Sequence, residues 1–282
     1  TTPVIAGTAL TTQTYYVTET TNNCESTPTL VAVTVNTTPT APTAAAQAFC
    51  SADSPTGADL VPTISSSIKW YSNVGLTTPV IAGTALTTQT YYVTETTNNC
   101  ESTATTVAIT VNTTPTAPTA ATQAFCSSDS PTGADLIPLL SSSIEWFSDL
   151  ALTTPVIAGT ALTTQIYYVT ETTNNCQSTA TSVTVTVNTT PTAPTAAAQA
   201  FCSADSPTGA DLVPAISSSI KWYSDLALTT PVIAGTALTT QTYYVTETTN
   251  NCESTATSVT VTVNTTPSAP TAAAQTFCIS DS

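Results

Sequence analysis

The string ALTTQTYYVTETTNNCEST starts at Ala9 and returns in close copies at Ala85, Ala161 and Ala237, a step of 76 residues each time. A second string, AFCSADSPTGADL, starts at Ala48 and recurs with small changes at Ala124 and Ala200. One large globular core does not produce such self-similarity. A 76-residue period is long for a solenoid unit and suits one small autonomous domain. The period divides the chain into the C-terminal part of a module at 1–38, three full modules at 39–114, 115–190 and 191–266, and the N-terminal part of another at 267–282. We expect a portion of a longer array, with signal peptide, anchor and tip outside this window.

Within a module the residue types are those of strands. Thr, Val, Ile and Tyr dominate, and they fit a pleated, half-buried surface. The run Ser182-Val183-Thr184-Val185-Thr186-Val187 alternates Val with Ser or Thr, as one buried face requires. In Ile68-Lys69-Trp70-Tyr71 the same alternation predicts Ile68 and Trp70 inward, Lys69 and Tyr71 outward. A first strand is expected to end at Phe49-Cys50, and Ser54-Pro55-Thr56-Gly57 is a turn signal. A second strand is expected to begin with Ala58-Asp59-Leu60-Val61 and to end at Pro62. Further strands are expected at Pro79–Gly83, Thr90–Glu95 and Thr106–Val111, with a turn at Thr97-Asn98-Asn99. Pro39 and Pro42, repeated at Pro115/Pro118, Pro191/Pro194 and Pro267/Pro270, mark a short, semi-rigid joint. The only helix-like run, TAAAQAF from Thr43, is short and flanked by Pro.

Charge excludes several functions. The net charge is −15, with two Lys or Arg residues and no His. Nucleic acid and anionic membrane surfaces both need cationic side chains, so neither is expected as a partner. No apolar run is long enough to cross a bilayer as a helix.

The eight cysteines fall two to a period: Cys24, Cys100, Cys176 and Cys252 in one series, Cys50, Cys126, Cys202 and Cys278 in the other. Regular pairs in small modules read as disulfides. Zinc fits poorly, because two thiols and no His cannot fill a four-ligand site. Three connectivities are open. Cys50–Cys100, Cys126–Cys176 and Cys202–Cys252 would close each module on itself, and this is the expected set. Cys100–Cys126 would bridge the linker and use every cysteine. Cys50–Cys176 would run from module to module. The first set carries a geometric objection: an ordinary sandwich would place Cys50 and Cys100 far apart.

About seven short strands with a central Trp and a late Tyr strand predict an all-β fold, a tandem array of small immunoglobulin-like β-sandwich modules. The order Cys50, Trp70-Tyr71, Gly83, Tyr91-Tyr92-Val93, Cys100 and a final Val/Thr strand resembles the Ig-like repeats of giant Bacteroidetes surface proteins. That family includes gliding-motility adhesins exported by the type IX secretion system. The resemblance covers the whole chain and implies a bacterial cell-surface, extracellular location.

Catalysis is not expected. Without His no Ser–His or Cys–His nucleophile can be assembled. The carboxylate pairs Asp53/Asp59, Asp129/Asp135 and Asp205/Asp211 sit at turn positions and recur in every full module. No cofactor is expected. Calcium is the one candidate ion, with Asp53, Asp59 and Glu101 as the oxygen ligands to consider. Tyr71, Phe147 and Tyr223, expected outward, are the candidate surface-binding aromatics. The function expected is a stalk or spacer of a secreted adhesin or filament, in which adjacent modules of the chain are one another's partners. The alternative is that the modules themselves bind surface polysaccharide or neighbouring arrays, with many weak contacts adding up.

Overall fold

The computed structural model describes residues 2–276. Each full module forms one six-stranded sheet, and the three sheets share a topology. In module 39–114 the strands are Gln47–Cys50, Ile68–Tyr71, Pro79–Val80, Gln89–Thr97, Cys100–Glu101 and Thr105–Asn112. The long strand Gln89–Thr97 pairs antiparallel with both Ile68–Tyr71 and Thr105–Asn112. The first strand, Gln47–Cys50, lies parallel to the last, with Cys50 level with Asn112. Pro79–Val80 forms the other edge. A Pro is tolerated there because an edge strand can spare a ladder donor.

The alternation read from the sequence places the core. Trp70, Val80, Tyr91, Val93, Val107 and Ile109 are buried on one face, and Leu60 and Leu86 close over them from the opposing layer. Modules 115–190 and 191–266 repeat this cluster around Trp146 and Trp222. The Trp70 indole N–H donates to the Pro62 carbonyl at 2.8 Å, so the buried ring leaves no orphan donor. The Val61–Pro62 bond is cis, as are its two counterparts.

The opposing layer is less regular than expected. Where the sequence predicts a strand from Ala58 to Pro62, the chain makes a 3-10 turn, Gly57–Asp59. The cause is local. Thr56 and Asp59 stand three apart and form a capping box, with the Thr56 N–H donating to Asp59 Oδ2 at 2.8 Å. The layer is knit by backbone bonds from Gly57 to Thr84, Ala58 to Ala82 and Leu86 to Pro55. A Cβ at Gly57 would lie 2.2 Å from the Ile81 carbonyl oxygen, so the approach of these two segments requires Gly.

By contacts the chain divides into two compact units: Thr1–Thr116 with Thr172–Ser178, and Ala117–Glu171 with Thr179–Ser282. The first takes in a seven-residue hairpin from the module that follows it in sequence.

Candidate functional site: the stapled hairpin

The hairpin is specified by Thr-Thr-Asn-Asn-Cys. In the full modules it turns at Asn98-Asn99, Asn174-Asn175 and Asn250-Asn251, all with positive φ. Asn tolerates that region better than other non-glycine residues, and two such residues in a row make the tight turn that matches strand twist. From the sequence, this Asn pair is a turn signal and nothing more. Its backbone carbonyls also have partners.

In the first compact unit, Asn112 ends the last strand of module 39–114, and its side-chain amide donates to the Asn174 carbonyl at 3.4 Å. Beside it Cys50 is joined to Cys176, with a Cα–Cα distance of 5.5 Å. In the second unit the Asn188 amide reaches the Asn250 carbonyl at 3.4 Å, and Cys126 is joined to Cys252. The same amide contact occurs once more in the first unit, from Asn36 to the Asn98 carbonyl at 3.0 Å. The joint is thus one device used repeatedly: the pole of a module where Cys and Asn end adjacent strands, receiving the Asn-Asn-Cys hairpin of the next. Cys176 and Cys252 are buried.

This corrects the expected pairing within modules. Strand register shows why. Cys50 sits level with Asn112 at one pole, while Gln89–Thr97 runs the other way and carries the Cys100 hairpin past the far end. The two cysteines stand about 35 Å apart along the sheet, far beyond disulfide reach. The module-to-module alternative is the one the fold permits. Cys126–Cys176 and Cys202–Cys252 fail for the same reason. Among the described residues Cys24, Cys100 and Cys202 are free thiols, and Cys278 lies outside the described residues. Each staple closes a sequence separation of 126, worth about 5 kcal/mol in the chain-entropy account.

The joint is fastened at other points. The Thr105 hydroxyl donates to the Pro42 carbonyl, pinning the Pro-rich segment to the start of the last strand. Thr114 N–H donates to Ser51 Oγ at 3.0 Å, and Ala52 N–H to Thr114 Oγ1 at 3.0 Å. The counterparts of Thr105 bond the same way, Thr181 to Pro118 and Thr257 to Pro194.

The candidate surface aromatics are also corrected. Tyr71, Phe147 and Tyr223 do lie on the sheet face opposite the Trp residues, yet they are only 8%, 7% and 9% exposed. Tyr71 stands beside Tyr92 on the long strand and Pro79 on the edge strand. Its hydroxyl donates to Glu101 Oε1 at 2.9 Å, on the hairpin arm. The alternation rule assigned the face correctly and missed that the hairpin covers it. Burial, with Glu101 as acceptor, pushes the Tyr71 phenol above its ordinary value, and the same holds for Tyr223 and Glu253. Hydrogen bonds from Thr94 and then Tyr71 hold the Glu101 carboxyl below the usual range.

The calcium candidates are not brought together. Asp53 lies in the 3-10 turn Ser51–Asp53, Asp59 in its capping box, and Glu101 on Thr94 and Tyr71. Among the described residues no three His, Cys, Asp or Glu side chains converge. In the second unit an open depression of about 290 Å³ lies beside Ile144, Trp146 and Ile157 and carries no titratable group except Glu145. Among the described residues no helix is long and apolar enough to cross a membrane.

Fold and joint define a class: a tandem array of immunoglobulin-like modules with a disulfide at the joint. The model of the family described as "Ig-like domain CHU_C associated" matches residues 115–188 and 191–265, more than half of the chain, and the protein belongs to that family. No curated protein sequence matches it. Among solved structures, the chain is similar to Sidekick-1 immunoglobulin domains 1–4, at 13% identity and a TM-score of 0.24, over 89% of this chain and 82% of that one. It is also similar to the N-terminal four Ig domains of a Dscam1 isoform, at 9% identity and a TM-score of 0.20, over 90% and 80%. A third similarity is to the Bacteroides ovatus mixed-linkage glucan utilization locus protein SGBP-B, solved with a mixed-linkage heptasaccharide: 12% identity, TM-score 0.15, over 72% and 62%.

Proposed function

We propose that this array is the stalk of a long secreted cell-surface adhesin or filament, a spacer that displays a distal domain and carries tension. The observation that carries this reading is the joint itself. The same amide contact and the same disulfide recur at the period of the sequence, tying the three full modules one to the next. Disulfides persist in oxidising, extracellular settings. A covalent tie at the joint serves a part whose task is to stay continuous under load. Export by the type IX route and a part in gliding motility follow from the resemblance to Bacteroidetes adhesins. With no His in the sequence and no converging carboxylates among the described residues, the modules are read as non-enzymatic.

A second reading keeps support from one observation. Ile81, Ile157 and Ile233 occupy matching positions and are 66%, 67% and 67% exposed, a repeated apolar spot suited to lateral contact between arrays. Glycan binding loses its expected platform, because Tyr71, Phe147 and Tyr223 are covered. The test is binding of the whole chain to immobilised polysaccharides and cell surfaces, with sedimentation across a concentration series. The stalk reading expects a monomer with no saturable binding. Saturable binding, or assembly abolished by changing Ile81, Ile157 and Ile233 to Ser, would overturn it and make the modules themselves adhesive.

A further inference from the structure

The two disulfides overlap in sequence. Cys50 joins Cys176 and Cys126 joins Cys252, so the segment from Cys126 to Cys176 lies under both. Tension on the chain ends enters this stapled region at Cys50 and leaves at Cys252. One covalent route follows the backbone from Cys50 to Cys126 and crosses to Cys252. Another crosses from Cys50 to Cys176 and follows the backbone to Cys252. Neither passes through 126–176. If that segment alone unravels, both routes hold and the end-to-end distance does not grow.

The ceiling on extension is lower still. The shortest covalent route crosses from Cys50 to Cys176, runs back to Cys126, and crosses to Cys252. It uses 50 peptide units where the backbone between Cys50 and Cys252 has 202. We propose that the overlapping staples are an extension stop. They let the segment 126–176 unfold and refold under load without lengthening the array, because unfolding releases chain that the covalent routes bypass. Had each module been closed on itself, every module would remain a separate link in series. The use of this stop in a tethered stalk rests on the function proposed above. The topology does not, and its test is separate from the binding and sedimentation tests.

Connectivity of this kind has a signature that series links lack: the staples are non-additive. From end to end, with both staples closed, the unfolded chain has 129 peptide units to extend (49 to Cys50, 50 between Cys176 and Cys126, 30 beyond Cys252). That is about 460 Å with the two bridges. Opening either staple leaves 155 units, about 550 Å. Opening both frees the whole backbone, about 980 Å.

The experiment is force-clamp extension of the full chain, held through its termini, with free thiols capped by N-ethylmaleimide and a phosphine reductant then added. Two reduction steps are expected in each molecule, a first of about 90 Å and a second of about 430 Å. Three equal steps of about 170 Å would mean closure within modules and would overturn the proposal, as would two steps of equal size. Variants give a second reading that does not depend on native refolding. Cys50→Ser is expected to lengthen the oxidised, unfolded chain by about 90 Å, and Cys50→Ser with Cys126→Ser by about 520 Å. Additive gains from the two substitutions would overturn it.

Discussion

Modules 39–114 and 115–190 have one fold and differ at a few telling positions. Most core and turn residues are unchanged, among them Trp70 and Trp146, Val93 and Val169, Pro62 and Pro138, Gly57 and Gly133. Three polar positions change together. Lys69, Tyr71 and Glu101 correspond to Glu145, Phe147 and Gln177, while module 191–266 returns to Lys221, Tyr223 and Glu253. In the first and third modules the Tyr hydroxyl donates to the Glu carboxylate, with a Thr hydroxyl as second donor. A Glu at position 145 would add a like charge near a carboxylate at 177, and Gln there avoids the repulsion. Phe147 then lacks the hydroxyl that had a carboxylate to meet. The difference teaches that this face is exchanged as a set, while among the buried residues of the Trp face only Ile109 changes, to the smaller Val185. One face builds the sheet; the other tunes its charge.

The largest effect that could break the comparison is on the Trp face. Trp70→Ala and Trp146→Ala are each expected to cost about 3–5 kcal/mol through the cavity left behind, with the Pro62 or Pro138 carbonyl losing its donor. Hydrogen exchange in strands Gln89–Thr97 and Gln165–Thr173 reads each module separately. Equal losses sustain the view that these cores are interchangeable, and a clear inequality would end it. Next come Gly57→Ala and Gly133→Ala. A Cβ would sit 2.2 or 2.3 Å from a backbone carbonyl oxygen, and overpacking of this kind costs about 1–3 kcal/mol. Exchange of the amides at positions 57 and 133, which donate to the Thr84 and Thr160 carbonyls, is expected to rise to the same extent.

A smaller effect sharpens the reading of the polar set. Tyr71→Phe and Glu101→Gln, made singly in module 39–114, are each expected to cost about 1 kcal/mol. Each breaks a charge-assisted bond that solvent partly screens. Made together they are expected to cost less than their sum, because the second change removes the partner the first left behind. A double-mutant cycle read from exchange in Gln89–Thr97 measures the coupling. Strict additivity would show that Tyr71 and Glu101 vary independently and that their joint replacement in module 115–190 carries no physical meaning.

How much of this was legible beforehand differs between the two faces and the joint. The inward residues could be read because strand alternation has a period of two and a buried Trp stays in every copy. Strands at Cys50, Trp70, Tyr91 and Val107 follow from it. Burial of Tyr71 could not be read, since it depends on where the hairpin folds back, a contact across 30 residues of sequence. The capping box between Thr56 and Asp59 was visible as a spacing and was outweighed by the strand-like run that follows it. The joint was only half legible. Cysteine periodicity shows that bridges exist, but connectivity depends on which pole each cysteine occupies. That follows from strand direction: Gln47–Cys50 is parallel to the last strand, so Cys50 ends opposite its own module's hairpin. The carbonyls of the Asn-Asn turn left no mark, because backbone groups carry no sequence identity.

The smallest effect concerns the loop after the Trp strand, where Asn73 corresponds to Asp149. Both side chains cap the same turn. Asn73 Oδ1 accepts from the N–H groups of Thr77 and Thr78 at 3.0 and 3.1 Å. Asp149 accepts from Thr153 N–H at 3.1 Å and Thr154 N–H at 2.7 Å. These backbone donors, Thr153 foremost, hold the Asp149 carboxyl below its ordinary value, and Asp225 is held low in the same way by Thr229. A carboxyl whose folded pKa is depressed contributes fully above its unfolded pKa, about 3.9. The contribution is lost as pH falls through the lower folded value. Asn73 has no such titration. Amides at Thr153 and Thr154 are therefore expected to lose exchange protection, relative to Thr77 and Thr78, only below about pH 4. Asp149→Asn is expected to abolish the difference and leave the turn intact. If the Thr77 and Thr78 amides lose protection over the same interval, the acid sensitivity belongs to the sheet beneath the loop, and the exchange of Asn for Asp is neutral at every pH.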